Sequence, residues 1–469
     1  MWDIWTPLSY HILILILLGH KLNQISLNTG DSIQNILGDV LHYPAFKDAI
    51  IALMDIDRDR LSESVFVAKK MIASMNVQAQ VHTYSSQREA LEGADFVVVC
   101  FQIGGFKPCT MIDFDIPKSY GLEQTIADTL GMGGIMRGLR TVPHLWAICD
   151  DMMAACSQAI MLQYVNPMAI NTWAIAQRYP SIRQVGLCHS VQGTSEELAH
   201  DLGLSLENIR YRAGGINHMA FFLSFEERCS EGTWRELYPA LRRGYAEGRF
   251  PKTTGANARC PNYVRYEVMK HFGLFVTESS EHFAEYVPWF LKSHRPDLID
   301  KFQIPLDEYP KRCLEQIEEW QDQIVAFKGV ANIDVKKSHE YAAEIMNAVV
   351  TGSPVVVYGN VPNHGYIPQL PSGASVEVPW LFDENGLQPT VVDDIPPQFI
   401  AMMRTNLNVQ ELTVQALLQE NREHIYHAAM LDPRTAAELD LDQIRALVDE
   451  LISAHGSWMP KWLANEEAA

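Results

Sequence analysis

The sequence has no long hydrophobic run. Its most apolar stretch, Ile12 to Leu18, is far shorter than the roughly 20 residues that a membrane-spanning helix needs. No basic segment precedes that stretch and no small-residue cleavage site follows it, so a buried strand is expected there and a secretory leader is not. Cysteine is sparse: eight residues (100, 109, 149, 156, 188, 229, 260 and 313) are dispersed without a CxxC pair, which points to free thiols and a reducing, cytoplasmic compartment. Positive charge is also short. With 37 basic residues against 57 acidic, the formal charge of -20 repels a phosphate backbone, so nucleic acid is not an expected partner. Internal repeats and low-complexity tracts are absent too. What is present is the composition of a globular protein, 47% hydrophobic and 20% charged, in a chain of 469 residues that is too long for one ordinary core. Two packed domains are expected, 1–193 and 194–469.

From Asp39 to about Val191, short β-branched runs alternate with amphipathic stretches, the pattern of a βαβ series. Ile51 to Ile56, Phe96 to Cys100, Met161 to Val165 and Val185 to Leu187 read as buried parallel strands. Leu61, Val65, Ala68 and Ile72 mark a crossover helix. Thr194 and Glu197 have capping-box spacing, and Gly203 stands where a helix would stop. Beyond this lie a strand near Arg210 to Ala213 and helices around Glu340 to Val350, Leu407 to Ala429 and Leu441 to Ala454, with Asp432-Pro433 as a break. The expected class is α/β, an N-terminal Rossmann-type parallel sheet followed by a lactate-dehydrogenase-like α+β half.

Three polar clusters follow predicted strands, where α/β sheets keep their ligands: Asn166-Pro167, Cys188-His189-Ser190-Val191 and Gly215-Ile216-Asn217-His218. A thiolate and an imidazole from separate strand ends can hold a divalent ion and leave positions open for substrate. Taken singly, each residue has an ordinary explanation: a small buried cysteine, a hydrogen-bonded loop histidine, a turn-forming asparagine.

Read in order, Asn166-Pro167-Met168, Cys188-His189-Ser190-Val191, Gly215-Ile216-Asn217-His218-Met219 and Pro261-Asn262-Tyr263-Val264-Arg265-Tyr266 resemble glycoside hydrolase family four, as do Gly38-Asp39, Gly93-Ala94-Asp95, Gly133-Gly134 and Asn406-Leu407-Asn408. The resemblance runs from about Asn35 to the C-terminus. It implies an enzyme that binds NAD and Mn2+, or another divalent transition metal, and cleaves by oxidation and elimination, outside the two-carboxylate scheme. A hydride leaves the sugar's C3 for NAD, the C2 proton is removed, the C1 substituent departs, water adds and the hydride returns. By motif, Cys188 and His218 are the metal ligands and Asn166 binds sugar hydroxyls. Tyr263 takes the C2 proton, a role helped by nearby positive charge such as the metal, with Tyr266 in reserve. His189 stands where phospho-sugar members carry an aspartate, and is expected to be the leaving-group acid. Cys-His-Ser-Val resembles the alpha-galactosidase subgroup, and Gln102-Ile103-Gly104 supplies no arginine for a sugar phosphate. An unphosphorylated alpha-galactoside such as melibiose is the expected substrate, and a homodimer or homotetramer the expected assembly.

One departure concerns the cofactor. The family's Gly-x-Gly-Ser turn is missing near the N-terminus, where Ile25-Ser26-Leu27-Asn28-Thr29-Gly30-Asp31-Ser32 holds one glycine beside an aspartate that would repel phosphate. Gly30 and Asp55 are nevertheless the expected cofactor contacts, Asp55 for the ribose hydroxyls. Residues 1 to about 34 thus read as atypical, with a changed reading frame as one source and Ile12 to Leu18 as strand-like only by accident. Three alternatives compete: an inactive relative without a working phosphate loop, an alpha-glucosidase of the same family, and a lactate- or malate-type dehydrogenase that would need no metal thiolate.

Overall fold

The computed structural model describes residues 11–15, 29–250, 261–338 and 340–464. Six strands run parallel: β1 His11–Leu15, β2 Ile50–Met54, β3 Gln80–Tyr84, β4 Phe96–Val99, β5 Ile160–Gln163 and β6 Arg183–Leu187. Their spatial order is β3-β2-β1-β4-β5-β6, the doubly wound dinucleotide-binding arrangement. Leu13 of β1 is registered against both Ala52 of β2 and Val97 of β4. Part of the Ile12 to Leu18 run therefore occupies the centre of the sheet, which overturns the reading of its strand-like character as accidental. The rest of that run lies outside the described residues.

Parallel strands covered by helices on both faces must be apolar on both faces, and β4 and β5 are buried along their whole length. Alternation splits them between two cores. Phe96 and Val98 pack with Ile51, Leu53 and Leu162 on one side. Val97 and Val99 pack with Met161, Leu145, Ile148 and Met152 on the other. The crossover helix Arg58–Met75 is capped by the Asp57 carboxylate, which accepts from the backbone N–H of Asp59 and Arg60. Of the parallel strands, β3 escaped the sequence reading: it is an edge strand with mostly polar, largely exposed side chains, so it carries no buried run to recognise.

The C-terminal half extends the same sheet with antiparallel strands. β10 Val355–Pro362 joins β6 through Asn360↔Gly186 and Gly359↔Leu187. β11 Ser375–Asp383, β7 Ile209–Ile216, β8 Met219–Arg228 and β9 Trp234–Glu236 follow, with β12 Gly386–Pro389 paired to the Trp380–Asp383 end of β11. Helices Tyr341–Thr351 and Leu441–His455 lie where the periodicity places them.

Two helical expectations need correction. The segment Leu407 to Ala429 belongs to two helices, Pro397–Gln419 and Arg422–Leu431, parted at Glu420, whose φ of 51° ends the first. The helix assigned to Thr194 begins earlier, as Ser190–Leu202, and ends at Gly203 as expected. Thr194 is not its cap. The Thr194 hydroxyl donates to the Thr277 carbonyl at 2.6 Å and accepts from Arg265, so both of its hydrogen-bonding roles are taken by tertiary partners. Among the described residues no helix is long and apolar enough to cross a membrane, and Cys109, Cys149, Cys156, Cys188, Cys229 and Cys313 are free thiols.

Candidate active site

The carboxyl ends of β5 and β6 carry Asn166 and Cys188-His189, and helix Ser190–Leu202 starts directly after His189. Opposite them the β7–β8 turn presents His218 with φ of 63°. That left-handed backbone costs a residue with a side chain roughly 1–2 kcal/mol, and it is held by the eight-residue pairing of β7 with β8. The chain passes beside β8 once more: Phe222 N–H donates to Phe275 O at 3.0 Å and Thr277 N–H to Ala220 O at 2.9 Å, which delivers Glu278 next to the turn.

Cys188, His218 and Glu278 converge, their ligand atoms all within 4.8 Å of one another. His218 Nε2 lies 3.3 Å from Cys188 Sγ and 3.3 Å from Glu278 Oε2, while its Nδ1 pairs with the Tyr286 hydroxyl at 3.0 Å. Burial opposes a charged imidazole, but Glu278 and Cys188 carry the His218 pKa up to about 10. Burial likewise opposes an ionised Glu278, yet His218 and His282 hold its carboxyl down at about 2. The pocket demands a positive charge. Sulfur, imidazole and carboxylate donors at ligand separations suit a divalent transition metal.

A second network fixes Asn166. Its Nδ2 donates to Asp128 Oδ2 at 2.9 Å, and the same carboxylate oxygen lies 3.4 Å from Arg137. Burial would protonate Asp128, but Arg137, His282 and His218 hold its carboxyl below the usual range. With the amide nitrogen so engaged, the Asn166 side-chain oxygen is presented as an acceptor. The Asp128 loop sits against helix Gly131–Ala155 only because that helix opens on glycines: a Cβ on Gly133 would stand 2.2 Å from Ala127 O, and one on Gly134 2.6 Å from Thr129 O.

His189 Nε2 pairs with Glu340 Oε2 at 2.7 Å, and its ring lies between Tyr164 and Tyr341 with centroids 5.9 and 6.2 Å away. Burial works to lower its pKa, but the Glu340 bond and charge raise it to about 9. Tyr263 opens helix Tyr263–Phe272, and among the described residues its hydroxyl makes no hydrogen bond. Arg265, two residues further along this helix, reaches Thr194 at 2.6 Å, Glu197 and Asn262, which ties the helix to the one that begins after His189. Tyr266 is fully buried and donates to Asp201 at 2.6 Å, with burial pushing its phenol well up. It is a core residue and not a reserve base.

Residues 30–204 match the family 4 glycosyl hydrolases and residues 213–435 the C-terminal domain of the same family. The chain belongs to glycosyl hydrolase family 4. An alpha-galactosidase of Bacillus subtilis is 44% identical over 92% of this family 4 chain and 96% of its own length, and one of Rhizobium meliloti is 29% identical over 93% and 88%. Among solved structures, a 6-phospho-alpha-glucosidase from gut microorganisms, in complex with NAD and Mn2+, superposes with a TM-score of 0.75 at 18% identity, covering 96% of this chain and 99% of that one. A 6-phospho-beta-glucosidase of Thermotoga maritima, with NAD and glucose-6-phosphate, gives 0.73 at 17% identity and the same coverage.

In this family 4 chain, then, Cys188, His218, His189 and Asn166 gather at the strand ends. Gly30 and Asp55 belong to the first elements of the same Rossmann half. Gly30 is the second residue of helix Thr29–His42, and residues 16–28 before it lie outside the described residues. Asp55 is buried just beyond β2 and accepts from Arg60 Nε at 2.7 Å and from Asp57 N–H at 2.8 Å. Glu278, His282, Asp128 and Glu340 escaped the sequence reading. Each is one carboxylate or imidazole among many, with no spacing that relates it to Cys188.

Proposed function

We propose that this family 4 chain is an alpha-galactosidase acting on unphosphorylated alpha-galactosides such as melibiose, with NAD and Mn2+ or a related divalent metal. The 44% identity to an alpha-galactosidase over nearly the whole of both chains carries the substrate reading. The Cys188, His218 and Glu278 donor set supports the metal. For NAD, the β3-β2-β1-β4-β5-β6 order supports a dinucleotide-binding half, and Asp55 stands just past β2 where a ribose-binding acid is expected, its carboxylate here paired with Arg60.

NAD, when bound, would supply the hydride acceptor and donor for oxidation and reduction at the sugar's C3, and a divalent ion would supply a Lewis acid. Cys188 and His218 would hold that ion between the two halves of the chain, 1–193 for cofactor and 194–469 for substrate. Asn166, oriented by Asp128, accepts from sugar hydroxyls. Tyr263 removes the C2 proton. His189, charged beside Glu340, gives its proton to the departing C1 oxygen and then receives one from the water that adds.

Release of nitrophenol from p-nitrophenyl alpha-D-galactopyranoside tests the reading, with NAD and Mn2+ supplied together and each omitted in turn. Activity that requires both supports it; turnover with neither, or none with both, overturns it. Assembly as a homodimer or homotetramer in the cytoplasm completes the proposal, and a monomer by light scattering would sink the assembly part.

A further inference from the structure

The geometry points to Glu278 as a third protein ligand of the divalent ion, making a Cys-His-Glu face where the motif supplies two donors. This rests on the metal dependence proposed above.

The case begins with His218. Its Nδ1 is committed to the Tyr286 hydroxyl at 3.0 Å, so Nε2 is the nitrogen presented to the cluster. Facing Nε2, each at 3.3 Å, are Cys188 Sγ and Glu278 Oε2. Nitrogen, sulfur and carboxylate oxygen thus face one another, and a single cation placed among them can be bound by all three. Donors held about 2.0–2.3 Å from an ion, at right angles to each other, stand ~3 Å apart, close to both of the separations found here.

Glu278 is also held as a ligand carboxylate is held. Its Oε1 accepts the Ser279 N–H at 2.9 Å and lies 3.3 Å from His282 Nδ1. Those contacts fix one oxygen from behind and leave Oε2 aimed at Sγ and Nε2, as outer contacts orient a metal-binding group. The side chain is 13% exposed and His218 only 4%, so water does not screen the pair. A thiolate and a carboxylate together neutralise a divalent cation, and the hard carboxylate oxygen moves the site's preference toward manganese.

The test is a titration with Co2+, whose visible bands report coordination and whose near-ultraviolet sulfur-to-cobalt band reports Cys188. The full chain and Glu278→Gln, a change of charge with little change of shape, are titrated in parallel, with thermal melts of both metal-free proteins. The expected result is that the variant melts like the parent, keeps the sulfur band at saturation, binds Co2+ about tenfold or more weakly, and shows altered visible bands. Equal affinity, or weaker binding with unchanged visible bands, overturns Glu278 as a ligand while leaving the proposed function standing. If the parent chain itself binds no Co2+, the metal reading falls, and this inference with it.

Discussion

His189 Nε2 lies 2.7 Å from Glu340 Oε2, and Glu340 is itself fixed by the first helix of the Rossmann half, where buried Asp39 accepts from the backbone N–H of Glu340 at 3.1 Å and of Ser338 at 2.5 Å. The proposed leaving-group acid is thus oriented through one carboxylate that a second carboxylate anchors. If Glu340 aims the His189 proton at the departing oxygen, Glu340→Gln should hurt substrates in proportion to how badly their leaving groups need protonation. We expect kcat/KM to fall about 100-fold for melibiose and much less for the nitrophenyl galactoside. Equal losses on both substrates would count against the assignment.

Cys188→Ser and His218→Ala should each remove metal and activity together. Loss of at least about 100-fold in kcat is expected, with metal content measured on the same samples by elemental analysis. Dialysis of the parent protein against a chelator should abolish turnover, and Mn2+ should restore it. Full activity in excess chelator would favour the dehydrogenase-type alternative.

Gly133→Ala places a Cβ 2.2 Å from Ala127 O and 2.8 Å from Ala127 Cβ. Backbone has to move, and the loop that moves carries Asp128. We expect a loss of about 2 kcal/mol in stability together with a raised KM, since the Asp128 bond orients Asn166. Both are read by a denaturant melt and steady-state kinetics on one preparation. An unchanged melt would mean that the contact is softer than its geometry implies.

Arg140 is fully buried and bonded to Asp113, Ile103 O at 3.2 Å, and, through Asp113, to His455 on the last long helix. Replacing it with Met leaves a buried carboxylate without its cation, at about 3–5 kcal/mol. Burial would raise the Asp113 pKa, but Arg140 and His455 hold its carboxyl below the usual range. A depressed native pKa gives stability that is present above the unfolded value and lost as pH falls below it. The parent should therefore lose stability below roughly pH 4, and Asp113→Asn should lack that part of the loss, as thermal melts across acid pH would register.

The sequence by itself determined the parallel sheet's interior and the ends where chemistry gathers. β4, β5 and the Val185–Leu187 end of β6 are largely apolar and buried on both faces, and such runs have few other solutions in water. Cys188 and Asn166 were legible because each follows such a strand within a motif, and His218 because its motif follows the strand expected near Arg210 to Ala213. β3 was not, because an edge strand facing solvent needs no apolar pattern. Nor was the true start of helix Ser190–Leu202: Thr194 and Glu197 have the spacing of a cap, yet their hydrogen bonds go to Thr277, Arg265 and Asn262, partners that exist only once the chain has folded. Only the tertiary structure decided that Glu278 faces Cys188 and His218. Its position follows from the pairing of residues 275–277 alongside β8, a long-range contact that buries backbone polar groups and leaves no periodic trace in the sequence. The same holds for Glu340 on His189, where helix Tyr341–Thr351 docks against the helix of Asp39. Local pattern records which face of an element is apolar. Which charge meets which is settled by packing between elements far apart in the chain.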